Sequence, residues 1–177
     1  NTYNGTTNVQ QGMLVAGSNA ALGAGGVGTT VNAGASLGFQ GNLNYTTPEA
    51  VTFDGLGVSG SGAVRNVSGN NRFVGNLSAA SIPTGSSVAL GSDSGTLTLD
   101  GNVSLEFSSL AVVGSGNIIA NGTIGGLGVP TFVGSGGFTG RYYDLDAAPN
   151  NTMAATSLLN STTLPLPLQA LTPATTR

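Results

Sequence analysis

Residues 1–39, NTYNGTTNVQQGMLVAGSNAALGAGGVGTTVNAGASLGF, decide the fold because one short pattern occurs in them twice. The first copy is Val9-Gln10-Gln11-Gly12-Met13-Leu14, and the second is Val31-Asn32-Ala33-Gly34-Ala35-Ser36-Leu37. The valines at positions 9 and 31, and the glycines at 12 and 34, are each 22 residues apart. A fixed period of this size predicts a solenoid, in which each repeat buries its apolar face only against its neighbours.

Short apolar runs separated by turn residues continue as far as residue 133. Thr96–Leu99 and Val103–Phe107 alternate apolar and polar side chains, which is typical of half-buried strands. No stretch keeps an apolar period of about 3.6 residues, so little or no helix is expected. A body of this length would stack about six coils of about 22 residues, and neither end carries an obvious charged or helical cap. The sequence therefore predicts an all-β solenoid, over residues 1–133, whose end coils have unpaired edges.

Two stretches resemble motifs of autotransporter adhesin passengers. Asn1–Leu14, NTYNGTTNVQQGML, is similar to the passenger-associated repeat of that family, which reads approximately N-x-Y-x-G-x-T-x-V-x-x-G-x-L. Val58–Asn71, VSGSGAVRNVSGNN, is similar to the SGxGAL-x-N-x-SGNN stretch of the same repeats. The resemblance implies a right-handed parallel β-helix that is secreted and displayed on a bacterial surface. The chain starts at Asn1 without a signal peptide, and we expect it to be a segment of a longer or processed protein.

The C-terminal residues differ in composition from the body. Residues 134–137, GSGG, predict a flexible linker that leads into an extended segment, residues 138–177. Gly137–Tyr143, GFTGRYY, has a G-x-x-G-x-Y-Y form that resembles the opening strand of the protective-antigen-type β-sandwich, a module often used to bind glycans, but too few residues follow for the complete module. Further on, the alternating prolines and leucines of residues 164–168, LPLPL, forbid a helix and predict an extended strand with one apolar face.

The composition excludes several classes of function. Charged residues make up 6% of the chain, the net charge is −3, and the four basic residues are isolated arginines. Nucleic-acid binding is not expected, because phosphates require clustered Lys or Arg. Membrane insertion is not expected either, since no apolar run approaches the about 20 residues of a membrane-spanning helix. The chain has no Cys, which is compatible with secretion but does not require it.

The side chains needed for most catalysis are also missing. Without His, Cys or Lys the chain cannot form a Ser–His–Asp triad, a Schiff base or the usual zinc site. Carboxylates remain, in the pairs Glu49 and Asp54, Asp93 and Asp100, and Asp144 and Asp146, and we interpret the aspartates beside Gly and Ser as turn residues. The pair Asp144 and Asp146 offers two ligands where calcium takes about six to eight, so no metal site is predicted.

These observations predict a non-enzymatic, extracellular, structural or adhesive β-solenoid without a cofactor. Stacking of end coils is a heterologous contact, so we expect a homo-oligomer that grows head to tail into a surface fibre, with strand donation by the C-terminal segment. The candidate self-association residues are apolar or aromatic side chains of the first coil and of the C-terminal segment: Val9, Met13, Leu14, Phe138, Tyr142, Tyr143, Leu164, Leu166 and Leu168.

Two alternative functions remain open at the level of sequence. The first is a carbohydrate-binding surface module, in which Tyr142, Tyr143 and Asp144 contact the glycan by stacking and hydrogen bonding. The second is a polysaccharide-degrading β-helix that uses two carboxylates, although the chain lacks the row of basic or aromatic residues expected along a substrate groove. Surface glycans are therefore the second class of expected partner, after further copies of the chain.

Overall fold

The computed structural model describes residues 1–80, 86–126, 131–132, 137–144 and 158–159. These residues form an all-β structure, and a single three-residue 3₁₀ turn, Val58–Gly60, is the one helical element among them. The strands are β1 Thr7–Val9, β2 Met13–Ala16, β3 Thr29–Val31, β4 Ser36–Gln40, β5 Asn44–Tyr45, β6 Val51–Phe53, β7 Val64–Ser68, β8 Asn70–Phe73, β9 Leu77–Ala79, β10 Ser87–Ser92, β11 Thr96–Leu99, β12 Val103–Ser104, β13 Ser109–Val113, β14 Asn117–Gly126, β15 Thr131–Phe132, β16 Phe138–Asp144 and β17 Leu158–Leu159.

The strands stack in parallel on three faces. Face A consists of β1, β3, β6, β9, β12 and the end of β14; face B consists of β5, β8, β11 and the start of β14; face C consists of β2, β4, β7, β10, β13 and β15. Strand β14 runs around one corner, because its first residues pair with β11 and its last residues pair with β12. Face A has six successive strands, so about five turns separate the first from the last. The predicted parallel β-solenoid is confirmed.

The repeat length is constant only at the start of the chain. Val9 pairs with Val31, which confirms the predicted 22-residue period for the first step, and Val31 pairs with Phe53 at the same interval. The next two steps on face A, Val51 to Leu77 and Leu77 to Val103, advance by 26 residues each, and the step from Val103 to Ile124 in β14 advances by 21. The prediction of a fixed period is therefore wrong beyond the second step, because corner loops take up insertions while the faces keep their register.

The interior is filled by columns of side chains from successive coils. On face C, inward positions are occupied by Leu37, Val64 and Leu90, which are all fully buried. Aromatic rings fill another part of the interior. The centroid of the Phe73 ring lies 5.2 Å from that of Phe39 and 5.6 Å from that of Tyr45. Because no coil encloses its own side chains, each of these contacts depends on the coil above or below.

The parallel pairing continues beyond residue 133. Strand β16 lies beside β14 in parallel register, with Phe138 opposite Ile118 and Tyr142 opposite Ile124, and thereby adds one more strand to faces B and A. Residues 134–136 of the predicted linker, and most of the predicted extended segment, lie outside the described residues. Of the helical structure that is described, none is long or apolar enough to cross a membrane.

Candidate functional site

The N-terminal end of the solenoid presents two strands with an unpaired side. Within the described residues, β1 pairs only with β3, and β2 pairs only with β4. The backbone N–H of Thr7 donates to the Gly28 carbonyl (3.2 Å), and the Val9 carbonyl accepts from Asn32 (3.0 Å). Because successive residues of a parallel strand bond to opposite neighbours, the N–H and C=O of Asn8 point to the open side.

The same alternation applies to β2. The Gly12 carbonyl accepts a hydrogen bond from the backbone N–H of Ser36 (2.9 Å), and Leu14 pairs with Leu37. The backbone groups of Met13 and Val15 therefore point away from β4. We call β1 and β2 together the open edge.

The side chains at the open edge are apolar and exposed. Met13, Leu14 and Val15 are 42%, 39% and 37% exposed, and they stand next to each other in the sequence. A shallow hollow of about 480 Å³ lies along the edge and is lined by Thr7, Asn8, Val9, Gln10, Gln11, Met13 and Leu14. Residues 7–16 contain no charged residue and no proline, the devices by which proteins usually block an edge against another strand. The open edge is therefore chemically suited to accept a further strand.

Face B is closed at this end by a loop rather than by a charged or helical cap. The loop of residues 17–28 crosses below β5, where the Asn19 side-chain oxygen accepts the N–H of Asn44 (2.9 Å). Leu22 of this loop is buried against the core. The loop is also bound to the N-terminal residues, because the Ala24 N–H donates to the Tyr3 carbonyl (3.1 Å). The cap is an irregular loop that contains no charged residue.

The C-terminal end is open on the same two faces. Strand β17 pairs antiparallel with Phe138 and Thr139 of β16, and thereby covers the face B part of that strand. The face A part, Arg141–Asp144, and strand β15 on face C have no further strand beyond them among the described residues. In the described part of the chain, faces A and C are thus unpaired at both ends, whereas face B is covered at both.

The predicted self-association residues fall into different positions. Met13 and Leu14 are exposed on the open edge, whereas Val9 is only 6% exposed and belongs to the core. Phe138 is half-buried and packs against the core from the opposite end. Val15 has the same exposure as its neighbours but was missed, although the continuous run Met13–Ala16 contained the signal.

The remaining predicted contacts lie at or beyond the C-terminal end. Tyr142, Tyr143 and Asp144 belong to β16, where their backbones pair with Ile124, Gly125 and Gly126. Leu164, Leu166 and Leu168 lie outside the described residues.

Three of the carboxylates are paired with arginines or buried: Asp93, Asp100 and Glu49. Asp93 accepts two bonds from Arg65 Nε (2.9 and 2.8 Å), and Asp100 forms an ion pair with Arg72 Nη2 at 2.5 Å. Each arginine lies in the coil that precedes the coil of its aspartate, so these ion pairs link successive coils. Glu49 is 1% exposed and accepts a bond from Thr29 Oγ1 (2.9 Å). No group of three or more His, Cys, Asp or Glu side chains suited to a metal occurs in the described part of the chain.

No protein-family model matches the chain, and neither the curated proteins nor the solved structures contain a significant match. The resemblance to autotransporter passengers stays a prediction that rests on the two motifs.

Proposed function

We propose that the chain is a non-enzymatic structural β-solenoid that associates head to tail into a fibre. The observation that carries the proposal is the open edge, where uncharged β1 and β2 present unpaired backbone groups beside exposed Met13, Leu14 and Val15. An apolar strand edge of this kind is a template for pairing with another chain.

The same two faces are open at both ends of the solenoid, which supports continued growth rather than a closed dimer. Among the described residues, faces A and C lack a neighbour at both ends, so the last coil of one copy can pair with β1 and β2 of the next while all strands stay parallel. Such a contact joins two different surfaces, and each added copy presents a new open edge. Closure of face B at both ends leaves two of the three faces to form the contact.

The proposed setting is the outside of a bacterial cell, where the fibre serves structure or attachment. The two passenger-like motifs support this setting, as does a composition with 6% charged residues and no Cys. The absence of catalysis is part of the proposal, supported by the two aspartates that are engaged with arginines and by the burial of Glu49.

Negative-stain electron microscopy of the purified chain tests the proposal. We expect unbranched fibres, with a strand spacing of about 4.8 Å along the fibre axis in diffraction. Leu14→Lys places a charge on the open edge and should abolish the fibres, because an unpaired charge would become buried in the contact.

Leu56→Lys is the matched control, since Leu56 is a similarly exposed leucine (45%) away from the edge, and its fibres should resemble those of the parent chain. Dispersed monomers of the parent chain, or fibres that persist in Leu14→Lys, would contradict the proposal.

A further inference from the structure

A second hollow lies on the side of the solenoid, away from the open edge. It is a groove of about 430 Å³ on face A, in the size range of small-molecule sites. We call it the Phe107 groove; the lining residues used below are Asn102, Ser104, Glu106, Phe107, Thr123 and Gly125.

The groove arises from a gap in a column of polar side chains. The middle residues of the face A strands pair from coil to coil and point outward: they are Asn8, Thr30, Thr52, Ser78 and Ser104. The next position in this column is Gly125, which has no side chain. A Cβ built at Gly125 meets nothing within 4 Å, so the space beside Ser104 is open.

The turn after β12 holds an acid and an aromatic ring at the groove. Glu106 has φ of 51°, in the left-handed region that a non-glycine residue rarely adopts. The turn is fixed by the bond from Ser108 N–H to the Leu105 carbonyl (2.8 Å) and by the bond from Ser104 Oγ to Glu106 Oε1 (2.9 Å). Backbone strain of this kind persists only where the surroundings impose it, and it is concentrated at functional sites.

Phe107 follows in the same turn and is 46% exposed, the highest value among the large apolar side chains described. Exposure of an aromatic ring forgoes the free energy that its burial would provide. Core packing does not explain its position, whereas a ligand that covers the ring would recover this free energy.

The polar groups around the ring are held in place by cross-coil hydrogen bonds. Asn102 Oδ1 accepts bonds from both the N–H (3.0 Å) and the Oγ1 (2.9 Å) of Thr123, one coil above. The Asn102 N–H in turn donates to Asn76 Oδ1 (2.9 Å). The groove thus combines one exposed ring, one exposed carboxylate and amide and hydroxyl groups in fixed positions.

We propose that the Phe107 groove binds one unit of a neutral saccharide. A sugar ring offers a C–H face that packs on an aromatic ring and hydroxyl groups that hydrogen-bond to a carboxylate or amide. Glu106, the one charged side chain among the described lining residues, would repel acidic sugars and thus favours neutral ones. The groove is lateral, so every copy in a fibre would display it.

A microarray of neutral and acidic oligosaccharides tests the proposal. We expect binding to a subset of the neutral glycans, with a loss of at least tenfold in Phe107→Ala. Gly125→Val should cause a similar loss with the ring intact, because the new side chain fills the gap, and a β-branched residue suits a strand. Thermal unfolding would verify that both variants remain folded.

Leu56→Ala and Leu14→Lys should bind as the parent chain does, because neither residue lines the groove. No binding to any glycan, or unchanged binding in Phe107→Ala and Gly125→Val, would overturn the proposal.

Discussion

Asn66 illustrates how single residues join the coils of this solenoid. Its side chain is fully buried, and its Nδ2 donates to the carbonyls of Ser94 (2.7 Å) and Gly69 (3.1 Å) and to Ser92 Oγ (3.2 Å). Its Oδ1 accepts from Asn71 Nδ2 (2.6 Å). A buried amide is tolerated when its hydrogen bonds are satisfied, and here they tie one corner to the coil above.

Tyr45 differs from Asn66, because among the described residues its buried hydroxyl has no partner that meets the geometry of a hydrogen bond. Burial raises the pKa of Tyr45 above its usual value of 10.0, against the lowering effect of the Leu22 backbone, and the charges of Glu49 and Tyr3 raise it further. Below about pH 10 the hydroxyl is protonated in both the folded and the unfolded chain. Above that pH the unfolded chain ionises first, so stability falls until the pH passes the folded-state pKa.

Tyr45→Phe should remove this part of the alkaline loss of stability. At neutral pH the substitution is expected to change the free energy of unfolding by less than about 1 kcal/mol, because the deleted hydroxyl makes no hydrogen bond. Urea unfolding of both proteins from pH 7 to 11 measures the two effects. Parallel curves of stability against pH for Tyr45→Phe and the parent chain would contradict the assignment.

Only some of the roles of these individual residues could be predicted from the sequence. Asn66 and Asn102 were interpretable as turn formers, but nothing local indicates that one is buried and the other bridges two coils. Arg65 and Asp93 are 28 positions apart, so their ion pair depends on a coil length that the 22-residue repeat did not provide.

At the scale of elements, glycines let successive coils approach closely at one corner. Gly75, Gly101 and Gly122 stack where face B turns into face A. A Cβ at Gly101 would lie 2.1 Å from the Gly75 carbonyl oxygen, and one at Gly122 would lie 2.3 Å from the Gly101 carbonyl oxygen. Any side chain would therefore push the two backbones apart.

Gly101→Ala is expected to destabilise the solenoid by about 1–3 kcal/mol, as overpacking does in other cores. Gly17→Ala is the matched control, because a Cβ at Gly17 meets nothing within 4 Å and its stability should be unchanged or slightly raised. Thermal or urea denaturation measures both. Equal midpoints for the two variants would show that the corner is looser than described.

This corner also shows what the sequence analysis missed among the elements. Gly75-Asn76-Leu77-Ser78 and Gly101-Asn102-Val103-Ser104 are near copies, 26 positions apart, and they mark the same place in successive coils. Strand alternation revealed the strands themselves, because the side-chain period is local. Register was harder to derive, since loops such as residues 54–62 lengthen individual coils without changing the faces.

For the whole molecule, the first two steps of face A were predictable because both advance by 22 residues. The open edge followed from the same repeat, whereas the contact between Asn19 and Asn44 at the cap of face B did not. The Phe107 groove was not predicted, since it results from a glycine that aligns with Ser104 only after the coils are stacked.

The central claim, that the open edge joins copies of the chain by strand pairing, is tested by substitution of Asn8. Asn8→Pro removes an N–H that points to the open side and leaves the bonds of Thr7 and Val9 to β3 in place, a position where proline is tolerated. Asn8→Ala removes the same side chain but keeps the N–H.

Sedimentation velocity over a hundredfold range of concentration is the most direct measurement. We predict that the parent chain and Asn8→Ala sediment faster as concentration rises, while Asn8→Pro remains monomeric over the same range. A parent chain that stays monomeric at every concentration, or Asn8→Pro that associates as Asn8→Ala does, would contradict the claim.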